Sequence, residues 1–350
     1  MKKSKYKITV CGHFGGEKKF LDGQTVKTKN IYLALLDKYE KAEINIVDTY
    51  GWKRHPIKFL KKCVLSVKDS RNIIMLPARN GIKVFTPLYL VINKIYKRKI
   101  FYIVIGGWIS DMLKTKRRLR RKIKKIDRIF VETNIMKNSL SELGINNVEI
   151  LLNFKNIIPL KSSELKYNYE KPYKVCTFSR VMREKGIEDA INVIKKINEE
   201  ANTVVYKLDI YGPIDREYEE RFNKIITESP QYIQYKGCID DDKSVEILKS
   251  YYLLLFPTRY RTEGIPGTII DALFAGIPII ASKWDNVDEV IKDEENGFIF
   301  EFGNVTEFYN KLKLEIDKEK MMAMKHSCLQ RAKNFTKETE MIKLYKNIEG

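Results

Sequence analysis

Hydrophobic positions along the chain come in two textures. Short runs rich in Val, Ile, Phe and Tyr are separated by longer stretches in which apolar residues return every three or four positions. That is the pattern of buried strands joined by crossover helices in a parallel sheet. A first series predicts strands at Tyr6–Cys11, Ile44–Thr49, Asn72–Leu76, Ile100–Ile105, Arg128–Glu132 and Val148–Leu152. A second predicts them at Tyr173–Phe178, Val204–Tyr211, Tyr232–Tyr235, Tyr252–Pro257, Pro278–Ala281 and Gly297–Phe300. Residues 154–172 have two prolines and no clear period, as a linker between domains would. In between, Ile187, Ala190, Ile191, Ile194 and Ile197 keep the spacing of one helix face and predict a core-facing helix.

In doubly wound sheets ligands bind beyond the carboxyl ends of the strands, so the loops after the predicted strands are where chemistry is expected. The loop Phe178–Gly186 holds Arg180, Arg183 and Lys185 between a strand and a helix start. A guanidinium and an ammonium there suit a diphosphate; the alternative is a solvated basic loop with Glu184 pairing locally. The segment Arg261–Ser282 follows another strand. Pro266 is placed to begin a helix that Gly276-Ile277-Pro278 ends, so Glu263 falls in the loop and Asp271 in the helix. Gly264 and Gly267 let a ligand approach bare backbone N–H groups. Alternatively Glu263 caps the helix and Asp271 is a surface charge.

Charge refines the division. The chain has 65 Lys and Arg against 45 Asp and Glu. Residues 1–165 hold 36 basic and 13 acidic residues, a balance of +23, so the second half is slightly negative. Residues 114–125 contain nine cations, with Leu119, Ile123 and Ile126 at helical spacing, which predicts a basic amphipathic helix. The five cysteines form no C-x-x-C pair, which argues against a zinc site or a disulfide framework. Lys2, Lys3, Lys5 and Lys7 precede too short an apolar stretch for a signal peptide, and no run approaches the ~18 apolar residues of a membrane span. A cytoplasmic protein is expected.

On the segment Glu263-Gly-Ile-Pro-Gly-Thr…Asp271-Ala272…Gly276-Ile-Pro-Ile-Ile-Ala-Ser282, the chain resembles the retaining GT-B glycosyltransferases of family 4 with their E-x7-E motif. Lys185-Gly186, Tyr211-Gly212, Tyr235-Lys236-Gly237 and Asn296-Gly297-Phe298 extend the likeness over residues 173–302. The resemblance implies an α/β GT-B fold: two Rossmann-like doubly wound domains facing a central cleft, residues 1–160 binding acceptor and 161–335 binding the nucleotide sugar. A final helix, 336–350, is expected to pack back on the first domain.

Carried over by the resemblance, Arg180 and Lys185 bind the donor diphosphate. Glu263 and the backbone of Gly264, Ile265, Pro266, Gly267 and Thr268 hold the donor sugar and β-phosphate. Asp271, one methylene shorter than the usual glutamate, binds the ribose, and the main chain near Ile239 meets the base. Glu263, Arg180 and Lys185 are the expected catalytic set. Gly23 matches the family's glycine-rich first loop, with Gln24, Gly107 and Trp108 on the acceptor side. Gly106-Gly107-Trp108 stands where many relatives carry a histidine, and His13, His55 and His326 occupy no catalytic motif position. Asp240-Asp241-Asp242 reads as a helix cap instead of a metal cluster, and neither metal nor other cofactor is expected.

The expected reaction is hexosyl transfer from a nucleotide diphosphate sugar, a UDP-sugar first, to a lipid-linked or growing glycan in bacterial surface polysaccharide synthesis. Lys116, Arg117, Arg120, Arg121 and Lys124 would then face an anionic membrane, placing the protein on the inner face of the cell membrane. No nucleic-acid-binding module accompanies the basic run. Two alternatives stand beside this reading: a GT-B sugar-nucleotide epimerase or hydrolase, and a non-enzymatic polyanion-binding protein.

Overall fold

Twelve strands form among the described residues, each where a short hydrophobic run falls. In the computed structural model, which describes residues 4–18, 22–167, 170–314 and 316–350, two units separate: Met1–Asn156 with Lys337–Gly350, and Ile157–Thr336.

The first unit holds β1 (Tyr6–Gly12), β2 (Ile44–Asp48), β3 (Ser70–Leu76), β4 (Lys99–Ile103), β5 (Arg128–Val131) and β6 (Val148–Ile150) in one parallel sheet of order β2-β1-β3-β4-β5-β6. Its helices are α1 (Gly23–Leu36), α2 (Pro56–Asp69), α3 (Ile82–Tyr96), α4 (Ile109–Thr115), α5 (Arg117–Ile123) and α6 (Asn134–Glu142). The period of two along each strand divides the core. Ile8, Val10, Ile74, Phe101 and Ile103 face one side, and Cys11, Ile73, Met75, Ile100 and Tyr102 the other. The C-terminal helix, labelled below as α13 (Lys337–Glu349), belongs to this unit. Met341, Leu344 and Ile348 join the cluster of Ile31 and Leu35, and Tyr345 Oη donates to the Ala34 carbonyl at 2.7 Å.

The second unit holds β7 (Tyr173–Phe178), β8 (Tyr206–Tyr211), β9 (Ile233–Gly237), β10 (Leu253–Phe256), β11 (Ile279–Ser282) and β12 (Gly297–Phe300), again all parallel, in the order β12-β11-β10-β7-β8-β9. Its helices are α7 (Ile187–Glu200), α8 (Glu219–Thr227), α9 (Ser244–Leu248), α10 (Gly267–Phe274), α11 (Val305–Lys313) and α12 (Lys318–Ala332). All five residues of the stripe Ile187 to Ile197 are buried. Chain direction across this sheet reverses between β7 and β10, so the carboxyl ends of these two strands flank the topological switch point.

One helix departs from expectation. The basic segment 114–125 is not a single helix: Lys116 at φ −98°, ψ 68° interrupts it, separating α4 from α5. No helix among the described residues is long and apolar enough to cross a membrane.

Candidate active site

The loops leaving β7 and β10 meet at the switch point of the second unit. After β7 the chain turns through a short 3₁₀ helix, Arg183–Lys185, and enters α7 at Gly186. Gly186 has φ +67°, and a Cβ there would run into the carbonyl of Pro257; only glycine allows this approach. Arg259 N donates to the Glu184 carbonyl at 2.7 Å, and the Arg259 guanidinium grips Asp189 of α7 with two 2.7 Å bonds. The two loops are thereby fastened together.

Their meeting brings Lys185 Nζ into a charge-assisted hydrogen bond with Glu263 Oε1. The side chains are 18% and 13% exposed, shielded enough for the pair to matter and open enough for a ligand to reach it. Thr258 Oγ1 also donates to Glu263 Oε1, at 3.2 Å, and the ammonium lies 5.3 Å from the centre of the Phe256 ring. The backbone of the acidic loop is pinned from the segment after β11. Asn286 Nδ2 donates to the Glu263 carbonyl at 2.6 Å, and Trp284 Nε1 to that of Gly264 at 3.3 Å.

Directly beyond the pair, α10 begins at Gly267, with Pro266 one position earlier than expected, as the cap and not the first helical residue. Gly264 and Ile265 are buried, whereas Pro266, Gly267 and Thr268 are half-buried. Thr268 Oγ1 donates to the Phe178 carbonyl, fixing the helix start at the end of β7. Asp271 is 2% exposed and accepts a hydrogen bond of 2.9 Å from Ser244 Oγ at the head of α9. The surface-charge alternative for Asp271 is therefore excluded. Arg180 is drawn the other way, to Asp215 after β8 at 3.8 Å, and remains substantially exposed. Ile239 is half-buried on the segment after β9. Asp240 precedes a 3₁₀ turn, Asp241–Lys243, that leads into α9. Among the described residues no group of three His, Cys, Asp or Glu side chains is arranged to hold a metal ion.

The first unit answers its expectations differently. Gly23 opens α1, but Asp22 caps the helix, accepting from Gln24 N at 3.0 Å and Thr25 N at 3.1 Å. The Asp22 carboxylate thus takes two of the free N–H groups at the start of this helix, beside Gly23. Gln24 Nε2 donates to the Leu76 carbonyl at the end of β3, at 3.3 Å. Trp108 is 7% exposed, packs in the core and donates its indole N–H to the Ile105 carbonyl at 2.6 Å, so it presents no stacking surface for a sugar. Gly107, beside it, is also buried. Lys116, Arg117, Arg121 and Lys124 are exposed and Arg120 is half-buried.

Sequence reasoning missed Thr258, Ser244, Asn286 and the Arg259–Asp189 clamp, none of which lies in a recognisable motif. It also missed a relay at the end of β1. His13 Nδ1 lies 2.7 Å from Thr25 Oγ1, and Thr25 donates to Asp22 Oδ2 at 2.7 Å. With the hydroxyl proton directed to Asp22, the hydrogen between His13 and Thr25 sits on Nδ1.

Residues 162–335 match the model of a family described as glycosyl transferases group 1. An uncharacterized glycosyltransferase of Methanocaldococcus jannaschii is 23% identical over 237 residues, 64% of this chain and 58% of that protein. An uncharacterized 41.2 kDa protein in the cps region of Klebsiella pneumoniae is 24% identical, over 62% of this chain and 57% of its own length. The chain thus spans less than two thirds of these relatives. Among solved structures, HepE of Anabaena, in complex with UDP and glucose, superimposes with a TM-score of 0.75 at 12% identity, covering 99% of this chain and 100% of that one. The likeness shows the two-domain GT-B fold.

Proposed function

We infer that this chain, whose residues 162–335 belong to the group 1 glycosyl transferases, transfers a hexosyl unit from a nucleotide diphosphate sugar to a glycan acceptor with retention of configuration. The observation that carries the reading is the half-open Lys185–Glu263 pair at the switch point, beside the start of α10. An arriving diphosphate competes for the Lys185 ammonium and takes the N–H groups at the helix start, while Glu263 turns to the sugar hydroxyls. Arg180 is near enough in sequence to exchange Asp215 for the same diphosphate, and Asp271 supplies the ribose contact, with Ser244 setting its position.

In the reaction the acceptor hydroxyl attacks the anomeric carbon on the face the diphosphate leaves. The bond to the diphosphate oxygen breaks as the new glycosidic bond forms, and the acceptor proton passes to the leaving phosphate. Lys185, Arg180 and the helix N–H groups hold the charge that builds on the leaving group, an effect strongest where water is excluded. No metal is required in this scheme, because cations and amides of the chain supply the neutralisation.

The UDP in the HepE structure supports a UDP-sugar as donor, and the Klebsiella relative's cps region supports surface polysaccharide assembly. The positive first half and the exposed Lys116, Arg117, Arg121 and Lys124, with Arg120, support work on a lipid-linked acceptor at an anionic membrane on the cytoplasmic side.

The test is incubation with UDP-, GDP- and ADP-hexoses, each in EDTA, with and without lipid-linked glycan extracted from capsulated bacteria. Acceptor-dependent incorporation, with the new linkage keeping the donor's anomeric configuration by NMR, is expected from one nucleotide class. Release of free or epimerised sugar at full rate without acceptor would replace transfer by hydrolysis or epimerisation.

A further inference from the structure

We propose that a cavity on the flank of the first unit, between α3 and the α4–α5 break, is a seat for the phosphate headgroup of an anionic membrane lipid. The cavity, of ≈ 450 Å³, is lined by five cations, Lys83, Lys116, Arg117, Arg118 and Lys122. Leu119 and Pro87 also line it, and no carboxylate does. The interruption at Lys116 is what makes the concavity: it turns the chain between two helices so that the side chains around it converge with Lys83 of α3. Among the described residues none of the five takes part in an ion pair. The one acid within α4, Asp111, is engaged by Lys114 at 2.9 Å. Five unneutralised cations around one hollow repel each other, and an anion with several oxygens removes that repulsion.

A second observation selects a lipid over a free anion. From Lys83 onward α3 presents an apolar edge to the outside: Val84, Val91 and Ile95 are 39%, 62% and 77% exposed, with Leu88 half-buried on the same spacing. At about 1.5 Å per residue the edge runs on the order of 16 Å from the cavity. On α2, which packs against α3, Ile57 is 83% exposed and Leu60 46% exposed, among Lys58, Lys61 and Lys62. An apolar helix edge ending in a cationic hollow matches an amphiphile with a phosphate at one end, and exposed apolar surface of this kind marks an interaction surface. The occupant is a glycerophospholipid of the bilayer: its phosphate sits among Lys83, Arg118 and Lys122 while the α3 edge rests in the acyl boundary.

The inference rests on the membrane part of the function proposed above and names the site that part lacks. The test is co-sedimentation of the full chain with vesicles of phosphatidylcholine alone or with one third phosphatidylglycerol, at physiological salt. Three variants are compared with wild type: K83Q/R118Q/K122Q in the cavity, R71Q/K99Q/K137Q removing equal charge elsewhere on the first unit, and V91S/I95S on the apolar edge. The expected result is binding to the anionic vesicles only. The cavity triple should lose at least tenfold more affinity than the remote triple, and the edge variant should lose about tenfold. Glycerol phosphate at millimolar concentration should compete in wild type and not in the cavity triple. Equal losses in the two triples, or an edge variant that binds like wild type, would overturn the proposal in favour of diffuse electrostatics. UDP-induced thermal stabilisation is measured on every protein. Its absence with intact lipid binding would indict the transferase reading alone, and its presence with lost cavity selectivity the lipid site alone.

Discussion

Among the described residues each unit carries a shielded lysine–glutamate pair at the carboxyl ends of its strands, and the two pairs differ in access to water. In the first unit Lys27 of α1 bonds Glu132, next after β5, with side chains 5% and 4% exposed, and Lys27 also donates to the Val104 carbonyl at 3.1 Å. In the second, Lys185 bonds Glu263 with side chains 18% and 13% exposed. The first pair is closed. It ties α1 to the ends of β4 and β5, and both partners are consumed by the fold. The second is backed by Thr258 and Phe256 and, in the function proposed above, trades its partner for a ligand. The same two residue types thus give a rivet in one sheet and, in the function proposed above, a binding site in the other, the difference being a modest opening to solvent.

The contrast breaks most sharply by mutation of the closed pair. Lys27→Met should destabilise the first unit by about 3–5 kcal/mol, because the Glu132 carboxylate stays buried after losing its cation. The double variant Lys27→Met/Glu132→Leu should recover most of that loss in urea unfolding; no recovery would mean the pair does more than hold helix to sheet. Glu263→Ala and Lys185→Ala should instead leave unfolding almost unchanged and lower transfer by about 10²–10³-fold. A melting temperature that falls as far as that of Lys27→Met would erase the distinction.

A third lysine extends the comparison. Lys325 of α12 is 1% exposed, and burial lowers its ammonium to about 8 from 10.5. Below pH 8 the native chain holds a charge it solvates poorly, whereas the unfolded chain keeps its proton up to about 10.5. Stability of the second unit therefore rises between these pH values. Lys325→Met should stabilise it at pH 7 by on the order of 3 kcal/mol, with the gain gone above pH 10.5. A pH-independent gain would point to packing instead of charge. Smaller effects are expected at the helix itself: Asp271→Asn should weaken nucleotide binding roughly tenfold, about 1.4 kcal/mol, and Ser244→Ala should weaken it least.

What was legible in the sequence follows the same division. The inner strands stood out because both sheets are covered on two faces, so β4, β10 and β11 are nearly unbroken apolar runs, whereas β8 and β9 alternate towards the sheet edge. The loop Glu263–Thr268 was legible because its glycines, proline and acid sit in a fixed order around a helix start. The Lys185–Glu263 contact spans 78 residues, and its members are brought together by the Gly186 approach to Pro257 and the Arg259 bonds to Glu184 and Asp189. Thr258, Ser244 and Asn286 act through single hydrogen bonds that leave no periodicity to read. The burial of Trp108 was not legible because a tryptophan in a glycine-flanked loop suits an acceptor contact and a core plug equally well. The break at Lys116 was hidden because Leu119, Ile123 and Ile126 keep helical spacing on one side of it, while the turn is set by backbone angles at a residue with ordinary helix propensity.

The central claim is that the open pair and the start of α10 receive a nucleoside diphosphate. Calorimetric titration of UDP, GDP and ADP, each in EDTA, into wild type, Lys185→Met and Asp271→Asn tests it most directly. One nucleotide, UDP, should bind wild type without metal and lose roughly tenfold in affinity in Asp271→Asn and more in Lys185→Met. Binding of none, or equal binding by all three proteins, would contradict it.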